Sequence, residues 1–239
     1  MEITLAYIDE PPFGWTEPGG SAAGADVELA SVVLRELGYT RIKHERVSFA
    51  ELLPGVNAGH WRMNVPIFIT PERSCTVDFS TPVWALGDGF IVAPGNPKHL
   101  HSYADVASHG DITVGVMPST VQWTAALAHG VPESRIRQFG QQGEAIDALL
   151  AGEIDAYAGT ALGNRVMAER VGLDRVSAVG HAAEGVPPLG GFSFAKNDAS
   201  LRDAVNKALL RYLGSTDHRQ RMAKYGFTND EIDPALPPK

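Results

Sequence analysis

Hydrophobic and polar positions alternate over residues 3–8, which predicts a short strand broken by the turn-forming stretch Glu10-Pro11-Pro12-Phe13-Gly14. Beyond it Val27, Leu29, Ala30, Val33, Leu34 and Leu37 recur at helical spacing, predicting a helix over 26–37 that Gly38 stops. A strand at 42–47, a short helix at 49–58 and a strand at 64–69 follow, the last running into a Thr-Pro turn and Arg73. Residues 89–94 form an extended run, after which the alternation restarts. Strands at 112–117, 135–139, 154–158 and 176–179 interleave with helices that begin at 103 and cover 121–129, 143–151 and 164–171. A second extended run at 190–195 precedes helices at 200–213 and 216–225 and a Pro-rich tail.

Strands alternating with helices imply an α/β fold with mainly parallel sheets. Two such series bracketed by two extended runs are better explained by an inserted lobe than by two domains in series. Residues 1–92 with 192–239 are expected to form lobe 1 and residues 93–191 an inserted lobe 2, with the extended runs crossing between them as a hinge. A small ligand is then expected in a cleft at the C-terminal ends of the strands, where loops and helix starts face inward.

Composition narrows the function without naming it. At 239 residues, 44% hydrophobic and 20% charged, the chain has the make-up of a soluble globular protein of one or two lobes. A net charge of −8 with no two Lys or Arg residues adjacent argues against nucleic acid and anionic membranes as partners. No apolar run approaches the 18 or so residues of a membrane span. An exported protein would have lost its signal peptide ahead of this Met. The single cysteine, Cys75, excludes an intrachain disulfide. His99 and His101 are the one close histidine pair, and they lack the third and fourth ligands that zinc requires, so neither a metal nor a cofactor is expected.

The candidate chemistry lies where strands end. Arg73 follows Phe68 by five residues at the end of the 64–69 strand, and its planar five-donor fork suits a carboxylate. Read singly, Phe68 is a core residue of a buried strand, Phe13 a loop aromatic, Phe49 a staple ahead of a helix and Thr120 a helix N-cap. Glu10 alone is a solvated turn residue, and Thr160 a loop threonine. What sets them apart is shared placement at strand ends and helix starts.

Several stretches in one order resemble the family 3 extracellular solute-binding proteins, the receptors of polar amino acid ABC importers. They are AYIDEPPFGW, GADVELASVVLRELG, ITPERSCTVDFSTP, GEIDAYAG and GGFSFAKNDASLRDAVNKAL. The resemblance implies the two-lobed periplasmic-binding-protein type II fold and a carboxylate-holding Arg73. It also implies a monomer outside the cytoplasm, periplasmic or lipid-anchored, that serves a membrane permease rather than catalysing a reaction.

The chain departs from the amino acid receptors at two places. Pro66 and Phe68 stand where their strand carries Gly and Thr, and Thr160 stands where they carry an ammonium-binding Asp. GNPKHLHSYADVASH, AHGVPESRI, AIDALLAGEIDAYAGTAL and KYGFTNDEI resemble the ectoine/hydroxyectoine-binding subgroup of the same family. That resemblance implies a small zwitterionic ligand. It gives Glu10 the ring nitrogens, Phe13, Phe49 and Phe68 the aromatic walls, and Thr120 a share of the carboxylate, while Thr160 fills the ammonium position without a charge. Gln122, Trp123 and Val65-Pro66-Ile67 depart from the subgroup, which keeps another cyclic or methylated zwitterion or a polar amino acid as alternatives. A dehydratase-like enzyme and a receptor sensor domain are further functions known on this fold.

Overall fold

The structure, a computed structural model, describes residues 1–182 and 187–237. The chain divides into two compact units, Met1–Leu86 with Val186–Lys239, and Gly87–Gly185. Each division falls six residues earlier than the expected 92/93 and 191/192. The strand pairings described below give the reason.

The first unit opens with β1 (Glu2–Tyr7), the two-residue strands β2 (Trp15–Thr16) and β3 (Ala22–Ala23), and helix α1 (Ala25–Glu36). β4 (Arg41–Arg46), α2 (Leu52–Asn57) and β5 (Met63–Phe68) follow. The Thr-Pro turn after β5 proves to be a helix start. Thr70 accepts the Arg73 backbone N–H at 3.1 Å, and Pro71 opens α3 (Pro71–Thr76), where its missing N–H costs nothing. β6 (Val77–Phe79) and β7 (Trp84–Ala85) close the segment.

The second unit contains β8 (Asp88–Val92), α4 (Tyr103–Ser108), β9 (Val114–Val116), α5 (Val121–Ala128) and β10 (Ile136–Gln138). α6 (Gln142–Leu150), β11 (Ala156–Thr160), α7 (Ala161–Val171) and β12 (Ser177–Gly180) complete it. Its sheet runs β10-β9-β11-β8-β12. β9, β10 and β11 are parallel, whereas β8 pairs antiparallel with both β11 and β12, so the strand of the first extended run belongs to this unit. One face of the sheet buries Phe90, Val92, Val114, Val116, Ala156 and Ala158 against Tyr103, Val106 and Ala126 of α4 and α5. The other buries Ile91 and Tyr157 against α6 and α7.

The chain returns to the first unit as β13 (Leu189–Ala195), followed by α8 (Ala199–Tyr212), α9 (Thr216–Ala223) and α10 (Asn229–Ile232). β13 pairs antiparallel with β5, β6 and β7, giving the sheet order β4-β1-β5-β13-β6 and fixing the second extended run in this unit. Only β4, β1 and β5 are parallel neighbours, so each sheet is mixed rather than mainly parallel.

A buried amide locks this sheet to its helix. Asn64, fully buried in β5, donates to the Leu52 carbonyl at 3.0 Å and to Ser193 Oγ at 2.9 Å, and its Oδ1 accepts the Trp61 indole N–H at 2.5 Å. Removing it takes the acceptor from the buried Trp61 indole N–H and a donor from both the Leu52 carbonyl and Ser193 Oγ, at a desolvation cost. Asn64→Ala is expected to destabilise the protein by about 3 kcal/mol. Urea denaturation checks this, and an unchanged midpoint would mean that these bonds add no net stability.

Candidate functional site

In the first unit the stretch Glu10–Gly14 folds back on itself. Glu10 N–H donates to the Gly14 carbonyl at 2.8 Å, and Phe13 N–H donates to the Glu10 carbonyl at 2.9 Å. The loop then serves as the N-terminal cap of α1, whose Ala25 and Asp26 N–H groups donate to the carbonyls of Pro12 and Phe13 at 2.9 and 3.0 Å. No side chain caps this helix. The approach requires Gly24, which has φ of +122° and where a Cβ would stand 2.3 Å from the Phe13 carbonyl oxygen.

Two of the predicted residues, Phe13 and Phe68, converge on Trp84. The Phe13 ring lies 6.3 Å from the Trp84 ring, and the Phe68 ring meets the same indole edge-to-face at 5.2 Å. Phe227, from the KYGFT stretch, backs Phe13 edge-to-face at 6.1 Å. At the end of β5 the Phe68 carbonyl accepts from Arg73 Nη1 at 2.9 Å, and the Arg73 guanidinium lies 5.2 Å from the centre of the Phe49 ring. Phe49 opens a 3₁₀ turn capped by Ser48, whose backbone and hydroxyl both bond Glu51. Phe49, Arg73, Phe68, Trp84 and Phe13 thus form one continuous chain of contacts. Phe13 and Phe68 are nearly buried, and Phe49 is half-buried.

The electrostatics of this constellation are uneven. Glu10 keeps part of its surface exposed, yet the protein crowds water away from its carboxyl and pushes it up to about 7. Among the described residues that carboxylate has no hydrogen-bond or ion-pair partner. Asp26, buried in the first turn of α1, is held well above the usual range by burial and by the Glu10 charge, against the pull of the Trp84 N–H at 3.1 Å. Burial also draws the Arg73 guanidinium down from its ordinary value. The first unit therefore holds an acid that resists ionising, three rings and a cation whose orientation is fixed.

In the second unit Thr120 and Thr160 both act as N-caps, of α5 and α7. The Thr120 hydroxyl donates to the Met117 carbonyl at 2.7 Å, so the donors at this helix start are backbone N–H groups rather than the hydroxyl. Thr160 Oγ1 accepts the Gly163 N–H at 3.1 Å. Directly opposite Thr160 in the β11–β8 ladder stands Asp88. Its carboxylate accepts from Gln122 Nε2 at 2.5 Å and from the Tyr103 hydroxyl at 2.9 Å, and burial pushes it upward against those two bonds. Among the described residues no group of three or more His, Cys, Asp or Glu side chains is placed to hold a metal ion.

Comparison with known proteins identifies the fold and the family. The model of the bacterial extracellular solute-binding proteins, family 3, matches residues 3–228. The chain belongs to this family. A probable amino-acid ABC transporter periplasmic-binding protein of Sinorhizobium fredii is 34% identical over 99% of this chain and 80% of its own length. Among solved structures, EhuB in complex with hydroxyectoine aligns with a TM-score of 0.88 at 26% identity, covering 100% of this chain and 95% of that one. An ancestral arginine-binding protein bound to glutamine aligns with a TM-score of 0.83 at 23% identity, covering 94% and 97%. The fold is the α/β periplasmic-binding-protein type II fold. No helix among the described residues is long and apolar enough to cross a membrane.

For a family 3 solute-binding protein, the sequence reading overlooked three residues of interest. They are Trp84, Asp26 and Asp88, none of which the sequence pattern singles out. Asp26 does lie in the first turn of α1, but its carboxyl faces the indole. A carboxylate written at the first residue of an otherwise apolar strand was the one available signal for Asp88.

Proposed function

We propose that this family 3 protein captures a small zwitterion, ectoine or hydroxyectoine, outside the cytoplasm and delivers it as a monomer to the membrane permease of an ABC importer. The observation that carries the reading is the run of contacts in the first unit from Phe49 and Arg73 through Phe68 and Trp84 to Phe13, with Glu10 beside it. Arg73 meets the ligand's carboxylate. Phe13, Phe49 and Phe68 offer aromatic surface to a delocalised cation, each face contributing about 0.5–2 kcal/mol. Glu10 supplies the opposing charge and accepts the ring N–H groups, with backbone donors at Thr120 and the Thr160 hydroxyl completing the set from the second unit. Contacts from both units exist only in a ligand-bound form, so binding shifts the population toward it. The likeness to hydroxyectoine-bound EhuB and the transporter name of the Sinorhizobium fredii relative support the reading.

A second reading, a receptor for a polar amino acid, is favoured by Asp88. It places an anion opposite Thr160, so the second unit is not without a partner for an ammonium group. Calorimetry with ectoine, hydroxyectoine, glycine betaine, proline, glutamine and arginine separates the two. Tight binding of the ectoines with no heat from the amino acids is expected. The reverse order would give the site to an amino acid, and chemical change of the ligand during incubation would make the protein an enzyme.

A further inference from the structure

Trp84 touches both Phe13 and Phe68, two rings that come from a loop and from a strand end far apart in the chain. The indole is itself fixed on two further sides. β7 pairs with β13 so that Trp84 stands opposite Gly190, and a Cβ there would lie 2.0 Å from Cη2 of the indole. The indole N–H donates to Asp26 Oδ1 at 3.1 Å, and Asp26 is 2% exposed. Trp84 is 5% exposed, so its own access to a ligand is slight.

We propose that Trp84 is a specificity-determining positioning residue, whose indole sets the spacing and tilt of Phe13 and Phe68 and so decides which cation the two rings accept. The inference rests on the zwitterion reading above. A cation is attracted to a ring face only within about 6 Å of its centre, so a modest shift of either ring changes which cation fits. The bond to Asp26 fixes the angle of the indole, and Gly190 provides the room in which it lies. A smaller side chain at 84 lets the two rings move together, while the carboxylate clamp at Arg73, held by Phe68 carbonyl and Phe49 ring, remains.

The test is calorimetry of the full chain and three variants, Trp84→Phe, Asp26→Leu and Asp26→Asn, with ectoine, hydroxyectoine, glycine betaine and proline, alongside thermal melts. Trp84→Phe and Asp26→Leu are expected to weaken ectoine binding at least tenfold and to change the order of preference among the four ligands. Asp26→Asn removes the carboxyl but keeps an oxygen for the indole N–H, and is expected to preserve that order. Should Trp84→Phe fail to fold, the contrast between Asp26→Leu and Asp26→Asn decides the matter alone. A lowered melting temperature with the order of ligands unchanged makes Trp84 a core residue and overturns the inference. Failure of the wild-type protein to bind any of the four overturns the proposed function itself, which is a different result from an unchanged order.

Discussion

Replacing Arg73 by alanine is expected to weaken capture of a carboxylate ligand by about a thousandfold, the effect of leaving a desolvated charge without its partner at about 4 kcal/mol. The size of the effect follows from how the side chain is held. One arm of the guanidinium is bonded to the Phe68 carbonyl at 2.9 Å and its face lies over Phe49, so the fork is oriented before ligand arrives. A pre-set group forfeits little rotamer entropy on binding, and more of its charge-assisted bonding reaches the measured affinity. Arg73→Lys retains a charge but not a planar fork. It is expected to fall between the two, about tenfold to a hundredfold weaker than wild type. Calorimetry on all three proteins reads the series directly. Wild-type affinity in Arg73→Ala would mean that the carboxylate is held elsewhere.

The second large effect is on pH. Glu10 can balance a bound cation only when ionised, and burial puts its carboxyl at about 7 in the ligand-free protein. Affinity for a cationic zwitterion is therefore expected to be level above pH 8 and to fall by about tenfold for each pH unit below 7, with a proton released on binding. Stability of the ligand-free protein runs the other way. A carboxyl whose folded value is raised binds its proton more tightly folded than unfolded, so its favourable contribution is full below about 4.5 and is lost as pH rises through 7. Asp26 has the same sign. Glu10→Gln is expected to abolish the pH dependence of binding, to lower affinity at pH 8 by about tenfold to a hundredfold, and to raise the melting temperature of the ligand-free protein at that pH. A binding curve that is flat from pH 5 to 8 in the wild type would remove Glu10 from the site.

The parts of the candidate site that were legible in the sequence are those set by local chemistry. Thr70-Pro71 marks where β5 ends and α3 begins, which fixes Phe68 and Arg73 relative to each other, and Pro11-Pro12 marks the loop that carries Glu10 and Phe13. Helical spacing located α1, α8 and α9 to within a few residues. What could not be read depends on partners distant in the chain. The role of Trp84 requires Gly190 beneath it and Asp26 at its N–H, and no local pattern announces either. The unit boundaries moved for the same reason: apolar alternation predicts that residues 89–94 and 190–195 are extended, but not which sheet each one joins. Asp88 stands level with Thr160 because β8 runs antiparallel to β11, a pairing that no local pattern specifies.

The way the Glu10–Gly14 loop is attached has a consequence for how such a receptor changes its ligand. The loop is fastened to α1 through main-chain atoms alone, the carbonyls of Pro12 and Phe13 receiving the first helical N–H groups over Gly24. Any side chain at positions 10 and 13 leaves those bonds in place. The loop is thus a mount with exchangeable fittings: a lineage can swap an acid or a ring at its tip, one codon at a time, while the helix beneath continues to hold the mount in register. Selection for a new solute then acts on the side chains at 10 and 13 while the main-chain bonds that hold the loop to the helix persist.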